Sequence, residues 1–200
     1  MSPRARTFEE RREAAAARRA RRAAVDKPDA VMEAAAAFLA VRSRSVEETR
    51  RRLLHLGYPA AICDEVVQRL IDMRYLDDRE FARAWVESRD RAKPRGSVAL
   101  RRELQLKGVP EDTISETLEA RSALAVGAIV LGPSGDAVAD ADRVAARRLL
   151  DRRARTLSRE VDPQRRRQKA YALLARNGFA PDVCNEIASS LAEGAGQEST

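Results

Sequence analysis

Arginine is the residue type whose repetition could do chemistry in this chain, and that chemistry would be electrostatic. Arg50-Arg51-Arg52, Arg101-Arg102 and Arg165-Arg166-Arg167 recur along the 200 residues. Guanidinium groups take phosphate or carboxylate oxygens through paired, charge-assisted hydrogen bonds. Counted from the nearest following glycine of a repeated pattern, Arg50 and Arg101 both stand seven residues before it, and Arg51 and Arg102 six. The third cluster falls a turn or so earlier relative to its own glycine, Gly178. Arg42, Arg44, Lys93 and Arg95 flank the first two clusters on their N-terminal side. Either these side chains are ordinary solvated faces, or the shared offsets trace one basic stripe suited to a phosphate backbone or an acidic groove. The formal net charge of +7 and pI near 10.1 favour a polyanionic partner, nucleic acid first. An arginine-rich composition without such a partner is the alternative.

Other chemistries find less support. Asp77-Asp78 could be mistaken for a catalytic carboxyl pair, but adjacent acids before a helical pattern serve as caps and complement the helix dipole. No nucleophile, base or metal set accompanies them, so no catalytic residue is assigned and an enzyme is not expected. Gly132-Pro133-Ser134-Gly135 lacks the Gly-Lys-Ser/Thr ending of a phosphate-binding loop, and no cofactor is expected. Cys63, Cys184 and the single histidine, His55, do not make a structural metal site. Both cysteines fall six residues after a pattern glycine, where the middle segment has Ile114, so they read as small core residues. Tyr58, Tyr75 and Tyr171 are scattered at core-like positions, which gives base stacking little support and leaves sequence-independent electrostatic contacts.

The elements that must position these residues are helices. Aromatic residues make up only 4% of the chain, and no stretch alternates as a strand would, so the fold class is all-α. Leu53-Leu54-His55-Leu56-Gly57-Tyr58-Pro59, Leu104-Gln105-Leu106-Lys107-Gly108-Val109-Pro110 and Leu174-Ala175-Arg176-Asn177-Gly178-Phe179-Ala180-Pro181 share one pattern: a leucine-bearing helix, a glycine stop, an apolar residue and a second helix. Such self-similarity marks a modular helical array. The expected organisation is a basic, mobile N-terminal arm over 1–28, a three-helix repeat over 29–74, a second over 75–124, a linker or insertion over 125–139, a third repeat over 140–193 and a tail over 194–200. The middle helix of the first repeat starts at Ser45 with Glu48 completing a capping box, and stops at Gly57. Leu76, Phe81, Trp85 and Val86 are assigned to the core of the second repeat. The glycine interval lengthens from 51 to 70 residues before the third stop. The run 125–131, followed by the Gly-Pro punctuation, accounts for the excess either as a linker or as an extension of the preceding helix. No signal peptide or long apolar span is evident, so a cytoplasmic protein without membrane contact is expected.

The stretch from Tyr75-Leu76-Asp77-Asp78-Arg79-Glu80-Phe81-Ala82-Arg83-Ala84-Trp85-Val86 through Arg89, Pro94-Arg95-Gly96, Glu103-Leu104 and Lys107-Gly108-Val109 resembles the RecX family of bacterial recombination regulators. Arg42-Ser43-Arg44-Ser45 with Leu53-Leu54 and Gly57-Tyr58 is similar to that family's first repeat. The resemblance covers about 30–192, and it weakens in the third repeat. It implies a curved array of three tandem three-helix repeats that binds the RecA recombinase filament in its groove and inhibits ATP hydrolysis and strand exchange; a monomer is expected. It also implies sequence-independent contact with single- and double-stranded DNA. The other reading is a DNA-binding architectural protein that affects recombination by competing for DNA. The basic arm and the Gly-Pro-Ser-Gly insertion are not part of the family pattern.

Overall fold

In this computed structural model, residues 7–128 and 137–194 are described, and all of their regular structure is helical. The Gly-Pro-Ser-Gly segment and most of the tail lie outside the described residues. The chain divides into two compact units, one ending at Phe81 and the other beginning at Ala82.

The first unit holds α1 (Phe8–Ala23), α2 (Pro28–Leu39), α3 (Val46–Leu56) and α4 (Ala60–Asp72). Ser45 caps α3 as its sequence suggests: its hydroxyl accepts from the Glu48 N–H at 3.0 Å, and the Glu48 carboxylate accepts from the Ser45 N–H. Gly57 ends the helix at φ +98°, in the left-handed region that side chains disfavour. The Tyr58 N–H then reaches back to the Leu53 carbonyl at 3.4 Å. That bond turns the chain so that α4 folds back beside α3, with Pro59 at the N-cap of α4. Leu53, Cys63, Val66, Leu70 and Val31 form the buried cluster between α2, α3 and α4. Each such leucine side chain contributes about 1.5–3 kcal/mol by leaving water.

The second unit takes most of α5 (Asp78–Ala92), then α6 (Ser97–Leu106), α7 (Glu111–Ala128), α8 (Ala137–Leu157), α9 (Pro163–Arg176) and α10 (Pro181–Gly194). The glycine stop recurs twice. Gly108 at φ +76° is followed by the Val109 N–H donating to Leu104 O at 3.1 Å, and Gly178 at φ +79° by the Phe179 N–H donating to Leu174 O at 3.4 Å. Leu53, Leu104 and Leu174, whose carbonyls accept these bonds, are all fully buried. Cys63, Ile114 and Cys184 occupy one equivalent position and are also fully buried. Burial pushes both cysteine thiols above their ordinary pKa.

Two core assignments need correction. Leu76 joins the cluster of the first repeat, because the turn that carries it donates its N–H to the Leu70 carbonyl at 3.2 Å. Trp85 is half-buried, since an indole must pair its N–H and is here drawn to the polar edge of α6: Nε1 donates to Glu103 at 2.9 Å. The sequence leaves open whether the third helix of the second repeat ends near Leu124 or runs on into the apolar stretch that follows, and the backbone of α7 continues to Ala128.

Within the second unit, two chain segments meet backbone to backbone. The Gly96 N–H donates to Asn177 O at 3.1 Å, and a Cβ built on Gly96 would lie 2.1 Å from the Gly178 carbonyl oxygen. The α8–α9–α10 core, built on Leu149, Leu150, Leu174, Val183 and Ile187, lies on the same side of the contact as Phe179. Replacing Gly96 with Ala forces these backbones apart and is expected to lower the unfolding free energy by about 1–3 kcal/mol, measured by urea denaturation.

Candidate nucleic-acid interface

The middle helices α3 and α6 carry the arginines of the first two clusters, and their fates differ with offset. Arg50, seven residues before Gly57, pairs through Nε with Asp64 of α4 at 2.7 Å, and that hydrogen bond raises its pKa. Arg101, at the same offset before Gly108, pairs with Glu111 and donates to the Ser115 hydroxyl of α7 at 3.2 Å. Asp64 and Ser115 each stand seven residues after their glycine. This offset therefore links the middle helix of a repeat to its third helix. One residue later the side chains face outward: Arg51 pairs with Glu47 one turn back at 2.6 Å but is 60% exposed, and Arg102 is exposed.

The flanking cations also divide. Arg42 pairs with Glu48 at 3.1 Å, and Arg44 stacks on the Phe38 ring at 4.1 Å. Arg95 donates to Asn177 Oδ1 at 2.6 Å and lies 3.6 Å from Glu103, whereas Lys93 is exposed. Arg44 and Arg95 share one offset, thirteen residues before their glycine, and in each the Nε is buried without a hydrogen-bond partner. Burial lowers the Arg44 pKa, and the neighbouring Arg42 charge adds to the effect.

The third cluster lies near the start of α9 and follows a different plan. Arg165 is 74% exposed and sits 3.5 Å from Asp162, the N-cap of its own helix. Arg166 turns back onto the Glu160 and Val161 carbonyls at 3.0 and 3.3 Å, closing the loop before α9, and Arg167 is exposed. Among the sequence candidates, Arg42, Arg51, Lys93, Arg102, Arg165 and Arg167 are thus exposed, Arg42 and Arg51 each while paired with a glutamate.

Asp77 is the cap that the sequence suggests, whereas several other residues that set the local geometry escaped the sequence reading. Asp77 caps α5, its Oδ1 accepting from the Arg79 and Glu80 N–H groups. Asp78 instead caps a different helix, accepting from the Val46 N–H at the start of α3 at 2.9 Å. Burial raises the Asp78 pKa, with the Val46 N–H pulling it back. The second repeat has the same device: Asp142 of α8 accepts from the Ser97 N–H at the start of α6 at 2.9 Å and from its hydroxyl at 2.7 Å. Asp142 is 2% exposed and pairs with Arg121 of α7 at 2.7 Å, while Arg121 also grips Asp90 of α5 at 2.8 Å. Burial works against the Arg121 charge, but Asp90 and Asp142 outweigh it and hold its pKa above the ordinary value. The sequence signal for this network is faint, because an Asp in a helix and an Arg in its neighbour look like surface residues until the packing is known.

Trp85 is flanked by Arg89 and Lys107, with the cations 4.4 and 4.6 Å from its ring. With Glu103 binding both its Nε1 and Arg89, the ring is engaged by the protein itself. No helix of the described residues is long and apolar enough to cross a membrane.

Comparison with known proteins matches three consecutive family descriptions. Residues 32–70 match "RecX, first three-helix domain", 77–118 "RecX, second three-helix domain" and 141–187 "RecX, third three-helix domain". Proteins named regulatory protein RecX are 32% identical over 150 residues in Mycobacterium ulcerans, covering 75% of this chain and 78% of the relative, and 32% over 148 residues in Bacillus velezensis, covering 74% and 50%. This chain therefore spans about half the length of the Bacillus velezensis relative. The crystal structure of RecX from Lactobacillus salivarius shares the fold at 18% identity, with a TM-score of 0.61 over 82% of this chain and 96% of that one.

The contrast between inward and outward charges is open to measurement. Asp142→Ala leaves a buried arginine without one of its two carboxylates and is expected to cost about 3 kcal/mol of unfolding free energy. Arg102→Ala should leave the urea midpoint where it is. A native thiol assay should find both cysteines unreactive at pH 8 and both reactive in urea, as burial and raised pKa require.

Proposed function

The chain belongs to the RecX family of regulatory proteins, and on that premise we propose that it is a negative regulator of homologous recombination and DNA repair, binding the RecA filament and inhibiting its ATP hydrolysis and strand exchange. The observation that carries this reading is the ordered match of all three family domains, joined to exposed cations at one repeated offset, Arg51 and Arg102. Action on a filament does not call for chemistry by the regulator. In the second unit, helices tied to one another by a buried salt-bridge network and a backbone contact resist deformation, so when bound it opposes the subunit movements that accompany ATP turnover, or obstructs a second DNA. The exposed arginines supply sequence-independent attraction to single- and double-stranded DNA within the same complex.

Purified protein at stoichiometric excess should slow RecA-dependent ATP hydrolysis and strand exchange; unchanged rates would refute the proposal. Charge reversal at Arg51 and Arg102 separates direct binding from competition for DNA. Inhibition that persists after DNA affinity is lost supports direct contact with the filament, whereas parallel loss of both favours the architectural reading.

A further inference from the structure

The first helix lies outside all three family-matched segments, and its charge is sorted by face. In α1, Arg11, Arg12, Arg18, Arg19, Arg21 and Arg22 follow a capping box in which the Thr7 hydroxyl accepts from the Glu10 N–H at 3.3 Å. At about 100° per residue these six arginines fall on one half of the helix circumference. Glu9, Glu10 and Glu13 fall on the other half, among alanines. None of its residues is buried, so this helix is not held by a hydrophobic face of its own.

What holds α1 is its C-terminal turn. The Arg22 guanidinium donates to the Leu56 carbonyl at 3.4 Å and stands 5.6 Å from the centre of the Tyr58 ring. Arg19 lies against Gly57, where an added Cβ would meet its Cγ at 2.6 Å. The Arg22 charge therefore meets the negative end of the α3 dipole, while the Arg19 stem and backbone pack on the glycine stop. Arg11, Arg12 and Arg18 remain exposed.

The chemistry of this face selects a partner. Arg11, Arg12 and Arg18, which are not turned onto α3, lie within about 11 Å of helix axis. A nucleic-acid backbone offers successive phosphates, which guanidinium groups take through paired, charge-assisted hydrogen bonds. A membrane surface is a poorer match, since an interfacial helix needs a broad apolar face opposite its cations, and α1 offers Phe8 as its single large apolar side chain. We propose that α1 is a separate binding face for a nucleic-acid phosphate backbone, with Arg11, Arg12 and Arg18 on the phosphates and Arg19 and Arg22 at the turn that meets α3.

The test uses the full-length chain alone, so its result is independent of any action on a recombinase. Binding of a fluorescent, mixed-sequence single-stranded oligonucleotide is followed against salt for the native protein and for R11Q/R12Q/R18Q. The plot of log affinity against log salt should lose about 2 from its slope, the value for three lost phosphate contacts at about 0.7 each. R11K/R12K/R18K, which keeps the charge, should retain most of the native slope. Equal slopes for the native and glutamine variants, with unchanged helical content and melting, would overturn the proposal. So would a larger loss of binding to phosphatidylserine vesicles or polyglutamate than to the oligonucleotide, because the face would then belong to another polyanion.

Discussion

A helix that must stop and reverse needs a residue able to enter the left-handed region, and this protein meets that need three times in one way. At Gly57, Gly108 and Gly178 the backbone has positive φ, and the following N–H closes onto a leucine carbonyl five residues back. The geometry fixes more than the turn. It brings the apolar residue after each glycine back toward its buried leucine and sets the third helix of the repeat beside the middle one. The position six residues after the glycine is then fully buried, whether it is Cys63, Ile114 or Cys184. Side chains at other fixed offsets are likewise assigned to the interior, to a neighbouring helix or to solvent.

The N-terminal ends of the middle helices present the complementary problem. Their leading N–H groups lack partners within the helix, and each of α3 and α6 receives a carboxylate that lies later in the sequence, Asp78 and Asp142 respectively. Val46 and Ser97, which donate those bonds, stand at the same offset before their glycines. Helix capping thereby becomes a connection between successive repeats, made in each case by an acid from the first helix of the following one. In the second unit the connection is reinforced by Arg121, whose guanidinium joins Asp142 to Asp90. An ion pair so enclosed adds little net stability compared with an apolar substitute, but it penalises any rearrangement that separates its members.

The parts legible in the sequence were those fixed by local stereochemistry. Helical composition, the Ser45 and Glu48 box and the glycine stops depend on neighbours a few residues away, and the repeat made them visible. The Cys63 and Cys184 positions followed from register alone. What escaped depends on contacts across longer separations. The sequence explained Asp77 and Asp78 by one local rule, yet only Asp77 caps its own helix. Trp85 has the spacing of a core residue, and its exposure is decided by Glu103 and Lys107 on the α6 side. The contact between Gly96 and Gly178 could not be foreseen from a Gly in a Lys-Pro-Arg-Gly turn, because the reason for that Gly is a carbonyl 82 residues away.

The arginines show why repetition of a residue type is a weaker guide than repetition of a register. Arg50 and Arg51 are adjacent in sequence, but the helix turns by about 100° between them, so one reaches the third helix and the other solvent. The same division separates Arg101 from Arg102. Net charge counts all four equally, whereas an external polyanion reaches only those that the helix turns toward solvent. Arg165, Arg166 and Arg167 extend the compositional pattern without the register, and Arg166 accordingly closes a loop. A binding surface in such an array is therefore defined by its offset from the glycine stop, and the constraint that folds each repeat also determines which of its cations face outward.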